Sequence, residues 1–155
     1  MSINFSDTTP AAPGSNLNVH WQTDSSGNVS ANIAPGLGAL EALGIVIDGG
    51  ASVPAIGSKG YVQVPYACTI TGWTMLANAS GSAQVTVKKS NYAGFPTTAS
   101  IVASAPPNLA SVQKNTSTSL TGWTTAISLG DVLEFNLDSV TTVTRISLQL
   151  QVTRS

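Results

Sequence analysis

The residues able to do chemistry are few and widely spaced. His20 is the only histidine and Cys68 the only cysteine. A serine-hydrolase triad needs a histidine base held against a nucleophile and oriented by a carboxylate. His20 lies in a turn-rich N-terminal stretch, a poor mount for such a base. A zinc site needs three or four ligands at fixed geometry, which one His and one Cys do not supply. A lone cysteine also excludes an intramolecular disulfide, and Cys68 reads as a small hydrophobe inside a strand. Asp48, Asp131, Glu134 and Asp138 are the carboxylates from which a glycosidase pair would have to come. Asp48 and Asp138 read instead as turn or strand-end residues, and Glu134 as a solvent-facing strand residue. No Gly-rich loop leads from a strand into a helix to cradle phosphate, and no acidic ladder marks a calcium loop. Three Asn-x-Ser matches, beginning at Asn28, Asn78 and Asn115, are what a chain so rich in Asn, Ser and Thr yields by chance. The expectation is no catalytic residue, no cofactor and no metal site: the protein is not read as an enzyme.

Two aromatic features remain. The tetrapeptide Thr71-Gly72-Trp73-Thr74 recurs as Thr121-Gly122-Trp123-Thr124. One reading places the two tryptophans at equivalent strand starts, each plugging one end of a core. The other makes them a matched pair that stacks on sugar. Tyr92 and Phe95 lie in the turn-rich connection Asn91-Tyr92-Ala93-Gly94-Phe95-Pro96 and are candidates for recognition by a surface loop.

Composition narrows the class. Of 155 residues, 8% are charged and 42% hydrophobic, with a net charge of −1. Ordinary soluble domains are about 25% charged. Disorder would require the opposite balance, high net charge with few apolar residues. A surface built mostly from Ser, Thr, Asn and Gln resists self-association poorly, so self-association is the expected working state. Six basic residues spread along the chain exclude the electrostatic footprint of a nucleic-acid binder. The opening Met1-Ser2-Ile3-Asn4-Phe5 offers no apolar core for a secretory signal. The longest apolar run, residues 36–47, contains Glu41 and falls short of the roughly 20 residues of a membrane span, so no membrane insertion is expected.

The elements that must carry these residues fall into three parts. Residues 1–35 read as an anchoring arm punctuated by Pro10, Pro13 and Pro35. Within it, Leu17–Gln22 and Asn28–Ile33 alternate apolar and polar residues around a Gly-containing loop, which predicts a β-hairpin. A lone hairpin is marginal in water. Val19, Trp21, Val29 and Ile33 are therefore the candidate residues for anchoring on a partner. Residues 36–44 space Leu37, Leu40 and Leu43 three apart between Gly36 and Gly44. They predict a joint of one or two helical turns, and the three leucines are candidates for packing about an oligomer axis. Residues 45–155 alternate with period two between turn signals: Ile45–Ile47, Gly60–Val64, Cys68–Ala77, Gln84–Lys88, Asp131–Leu137 and Ile146–Val152. In Cys68–Ala77 the alternation sends Trp73 and Met75 to one side and Ile70 and Leu76 to the other. Shorter strands are expected near residues 100–103 and 124–127, and residues 90–117 read as long loops. The fold class expected is all-β: an antiparallel β-sandwich of six to eight strands, a jelly roll, preceded by the extended arm with its hairpin.

Parts of the chain resemble a known family. Ile45-Val46-Ile47-Asp48-Gly49-Gly50, the run from Lys59 to Ile70, Leu120-Thr121-Gly122-Trp123-Thr124-Thr125 and Gly130-Asp131-Val132-Leu133 are similar to a recurrent C-terminal β-domain of tailed-bacteriophage structural proteins. Residues 5–13, 18–22 and 27–31 are similar to an N-terminal module of phage virion proteins. The resemblance implies a virion component assembled in the host cytoplasm, and it brings no catalytic motif. By analogy with such proteins, the layout of arm, joint and domain implies a homotrimer. The reading preferred is a capsid decoration (cement) protein whose arm binds the major capsid protein. The alternatives are a short tail-fibre tip or receptor-binding adhesin fixed to a tail protein, with a host surface glycan as a further partner, and a stand-alone carbohydrate-binding module using Trp73 or Trp123.

Overall fold

The computed structural model describes residues 19–23, 29–33 and 40–155. The chain forms two compact units, Met1–Gly38 and Ala39–Ser155. In the first, β1 (Val19–Thr23) and β2 (Val29–Ile33) pair antiparallel, with Val19 opposite Ile33 and Thr23 opposite Val29. This is the hairpin that the alternation predicts. The remainder of the expected arm, and Leu37 of the expected joint, lie outside the described residues.

The second unit contains β3 (Leu40–Asp48), β4 (Gly57–Gln63), β5 (Cys68–Ser90), β6 (Ala99–Ser100), β7 (Asn108–Ser117), β8 (Ala126–Ile127), β9 (Val132–Thr141) and β10 (Arg145–Arg154). They make one curled antiparallel sheet in the order β3-β10-β5-β9-β4, with β6, β7 and β8 paired along the other edge of β5. The curl follows from β5, which is 23 residues long and bent. Its residues 68–77 pair with β10, and its residues 82–90 pair with β9. β7 bends with it, setting Ser117 opposite Trp73 and Leu109 opposite Ala83. The bend lies near Gly81, where a Cβ would stand 2.5 Å from the carbonyl oxygen of Thr141; no side chain fits there. The two outer strands of the order approach each other, since a Cβ on Gly60 of β4 would lie 2.9 Å from Cδ1 of Ile45 in β3.

The concave side of the curl is the core. Ile70, Met75, Val85 and Val87 of β5 meet Leu133, Phe135 and Leu137 of β9 and Ile146, Leu148 and Leu150 of β10, all fully buried. Each such side chain contributes about 1.5–3 kcal/mol by leaving water. The alternation in β9 and β10 thus predicts the residues that face the core, although Val132 and Glu134 on the other face of β9 are buried as well.

Four expectations are corrected. Residues 40–44, read as part of a helical joint, are extended and belong to β3. Leu, Glu and Ala favour helices, but Gly44 disfavours one and β10 supplies a ladder from Leu40–Thr153 to Asp48–Arg145. In β5, Ile70 shares the core with Trp73 and Met75, while Leu76 is exposed. The cause is a β-bulge: Gln151 pairs with Gly72 and Val152 with Ile70, leaving Thr71 as an extra residue that reverses the parity. Residues 108–117, read as loop, form β7. It is a polar strand held by backbone pairing, with only Leu109 buried, so it lacks the alternation that marks a strand. Finally, the repeated tetrapeptide has no structural repeat. Thr71-Gly72 makes the bulge inside β5, whereas Thr121-Gly122 is a turn with Gly122 at φ 79°.

Candidate functional site

Directly opposite residues of antiparallel strands share a face. Tyr61 of β4 is opposite Glu134 of β9, which is opposite Lys88 of β5. Because Leu133 and Phe135 turn into the core, this rung lies on the convex face of the sheet. Glu134, expected to face solvent, is only 7% exposed. What covers it is the segment after β5. Asn91 accepts a hydrogen bond from the Gly94 amide at 2.7 Å and caps the single 3-10 turn Tyr92–Gly94. The chain then returns over the convex face, where the Thr98 hydroxyl donates to Glu134.

That return brings Phe95 to Tyr61. Their ring centroids are 5.0 Å apart and their planes cross at 89°, an edge-to-face pair. Both rings nonetheless remain open to solvent, Tyr61 by 51% and Phe95 by 41%. Tyr92, three residues earlier, is more exposed still. Phe95 and Tyr92 are recognition candidates from their loop alone. Tyr61 is not among the sequence candidates, although its outward place in Gly60–Val64 follows from the alternation there.

Polar groups line the same face. Ser58 Oγ lies 3.3 Å from the Tyr61 hydroxyl. Lys88 Nζ lies 3.6 Å from a Glu134 oxygen. Burial alone would raise the Glu134 carboxyl, but hydrogen bonds from Thr98 and Ser58 and the charge of Lys88 outweigh it and hold the group below its ordinary value. Along the strands, Asp138 accepts from Thr86 Oγ1 at 2.7 Å, Gln84 Nε2 at 3.4 Å and Asn136 Nδ2 at 2.7 Å. Asp138, read as a turn or strand-end residue, lies within β9 as the extra residue of a bulge, between Leu137 opposite Val85 and Ser139 opposite Gln84.

The other candidates are placed as follows. Trp73 and Trp123 are buried, and the Trp123 indole N–H donates to the Ala105 carbonyl at 3.0 Å. Neither ring is open to a sugar. Asp48 pairs with Arg145 at 2.8 Å and accepts from the Gly50 amide, as its turn reading expects. Asp131 pairs with Lys89 at 3.1 Å and accepts from the Ser128 amide. Each of the four candidate carboxylates, Asp48, Asp131, Glu134 and Asp138, thus has its own structural partners. Among the described residues, no three His, Cys, Asp or Glu side chains could hold a metal ion together, and no helix is long and apolar enough to cross a membrane.

Of the hairpin candidates, Val19, Trp21 and Val29 pair with Ile33, Ala31 and Thr23, on alternate rungs of one ladder. The three leucines are not equivalent: Leu43 is in the core, Leu40 is 80% exposed, and Leu37 is outside the described residues. Leu40 begins an outward row, Leu40, Ala42, Gly44 and Val46, on a strand that pairs with β10 alone among the described residues. Beside it run Ser147, Gln149, Gln151 and Thr153 of β10, so this surface carries no charge until the Asp48–Arg145 pair at its end. The chain matches no protein-family model and no curated protein.

Proposed function

We propose that the protein is a structural component of a phage virion, a homotrimeric jelly roll that decorates the capsid and binds the major capsid protein through its N-terminal unit. The observation that carries this reading is the uncharged outward row of β3 and β10, which runs along Leu40–Val46 on a strand that pairs with β10 alone among the described residues. Monomeric proteins guard such edges with charges, proline or bulges. On β3 the only charge before Asp48 is Glu41, which is paired with Arg154 at 3.6 Å on the opposite face. An outward row this sparsely guarded favours a subunit whose working state is assembled.

The jelly-roll part of the proposal rests on strand pairing. Divided at the bend, the sheet gives β3, β10, the first half of β5 and residues 114–117 of β7 as one layer. The second layer is β4, β9, the second half of β5 and residues 108–112 of β7. Two four-stranded layers in that order are the pattern of two Greek keys.

Immunogold electron microscopy on intact phage particles tests the function. Label over the heads is the expected result, and absence of label from every particle refutes a virion role. Deleting residues 1–35 leaves the β-fold intact in circular dichroism but abolishes particle binding; loss of the fold would refute a separable anchor. Light scattering on the free protein checks the trimer. The tail-fibre tip or adhesin is the second reading, favoured by the solvent-exposed Tyr61–Phe95 pair, and label confined to the tail selects it. The carbohydrate-module reading through Trp73 or Trp123 has lost its residues to the core.

A further inference from the structure

We propose that the convex face formed by β4, β9 and the second half of β5 is a binding site for a neutral oligosaccharide. A pyranose presents two kinds of surface, an apolar C–H face and a rim of hydroxyls that both donate and accept. The face of the sheet presents both complements side by side.

The apolar complement is the corner made by Tyr61 and Phe95. Two rings at right angles, 5.0 Å apart and about half open to water, offer one flat wall and one edge. Phe95 is not loosely displayed. Its segment is tied down on one side by the Asn91 cap and on the other by the bond from Thr98 to Glu134. Aromatic side chains with only two torsions lose little entropy on binding, which makes a ring held in this way an efficient contact.

The polar complement runs away from the corner along the strands. Ser58, Thr86 and Asn136 share a rung; Gln84, two residues along β5, stands opposite Ser139, and Asp138 is the extra residue of the bulge between them. Asp138 collects donors from Thr86, Gln84 and Asn136, which fixes the orientation of all three. Each retains hydrogen-bonding capacity that these contacts do not use: the amide oxygens of Asn136 and Gln84, the second N–H of each amide, and the lone pairs of Thr86. An array of donors and acceptors already oriented suits vicinal hydroxyls, because little ordering remains to be done on binding.

Charge selects the class of sugar. Glu134 and Asp138 outnumber Lys88 on this face, so sialylated, sulfated or phosphorylated glycans meet net repulsion. Neutral hexose and N-acetylhexosamine chains do not. Trp73 and Trp123 take no part, and the inference does not depend on where in a virion the protein sits.

The test uses the full chain on an array of neutral hexose and N-acetylhexosamine oligosaccharides, with sialylated and sulfated oligosaccharides on the same surface. Retention of neutral members is expected, followed by calorimetric titration with the best of them. Phe95→Ala, in a surface segment, and Tyr61→Ala should each weaken binding by about tenfold or more, as loss of an aromatic anchor does. Lys114→Ala, on β7 away from this face, should leave it unchanged. Titration of the unaltered protein while following the Tyr61 ring resonances gives a readout that does not depend on any variant folding. No neutral glycan retained, retention of charged glycans only, unmoved Tyr61 resonances, or full affinity in a folded Phe95→Ala variant would each overturn the proposal. Failure of the gold-labelling experiment would leave it standing.

Discussion

The bulge at Thr71 makes a quantitative prediction that plain alternation along β5 does not. Counting by twos from Trp73 puts Ile70 and Leu76 on the same side, so truncating either should cost the same. In the structure Ile70 is 2% exposed and packed in the core, whereas Leu76 is 44% exposed. Ile70→Ala removes three buried carbons, about 0.8 kcal/mol each for transfer alone. The cavity left behind raises the total to about 3 kcal/mol, within the range for such substitutions. For a domain of this size that lowers Tm by about 12 °C. Leu76→Ala leaves no cavity and forfeits roughly half the transfer term, so about 1 kcal/mol or less is expected. Urea titrations followed by far-ultraviolet circular dichroism, at low protein concentration, measure both. An unchanged m-value would show that the difference lies in the native state. Equal destabilisation by the two substitutions would refute the bulge and the parity change assigned to it.

Other predictions concern titrating and reactive groups. The Glu134 carboxyl is held below its ordinary value of 4.5, so its contribution to stability is complete above that pH and is lost as pH falls through the depressed value. Glu134→Gln should therefore flatten the acid limb of a stability-against-pH curve, and an unaltered acid limb would contradict the contacts assigned to it. Tyr66 is pushed up to about 12 by its hydrogen bond to Glu41, by burial and by the Glu41 charge. Spectrophotometric titration of the protein and of Tyr66→Phe should assign to Tyr66 an ionisation near 12, and its share of stability should fall between pH 10 and about 12. Cys68 is buried and its thiol raised chiefly by desolvation, so a thiol reagent should react slowly with the native protein and fast in urea. Fast native reaction would place Cys68 on the wrong face of β5.

Much of the fold was legible because the strands that fill the core have one wet face. In β10, Ile146, Leu148, Leu150 and Val152 alternate with polar residues, and the register follows. Legibility failed where local sequence and long-range pairing disagree. Leu40-Glu41-Ala42-Leu43 favours a helix locally, and only the β10 ladder makes it a strand. β7 has no apolar face to read, because it joins the sheet through its backbone. The bulge is invisible to counting, since Thr71 looks like any other residue of the alternation. The same division holds for the candidate site. Phe95 could be found from its turn-rich loop, and Tyr61 from the alternation of β4. Their meeting depends on the register of β4 on β9 and on the path of residues 91–98, neither of which is encoded locally.

The pairing of β3 with β10 also sets a timetable. These are the first and last strands of the unit to be synthesised, and Leu40 finds its neighbour only in Thr153. Until β10 leaves the ribosome, the row Ile70, Trp73 and Met75 has lost one flank and β3 has no partner among the described strands. The residues between the end of β3 at Asp48 and the end of β10 at Arg154 take about 5–20 s to make at ordinary translation rates, so β3 waits that long. Folding of this unit is then a single event that waits for β10. A nascent chain stopped before residue 145 should persist as no stable fragment, and clearance of such chains falls to the chaperones and proteases of the cell that makes it.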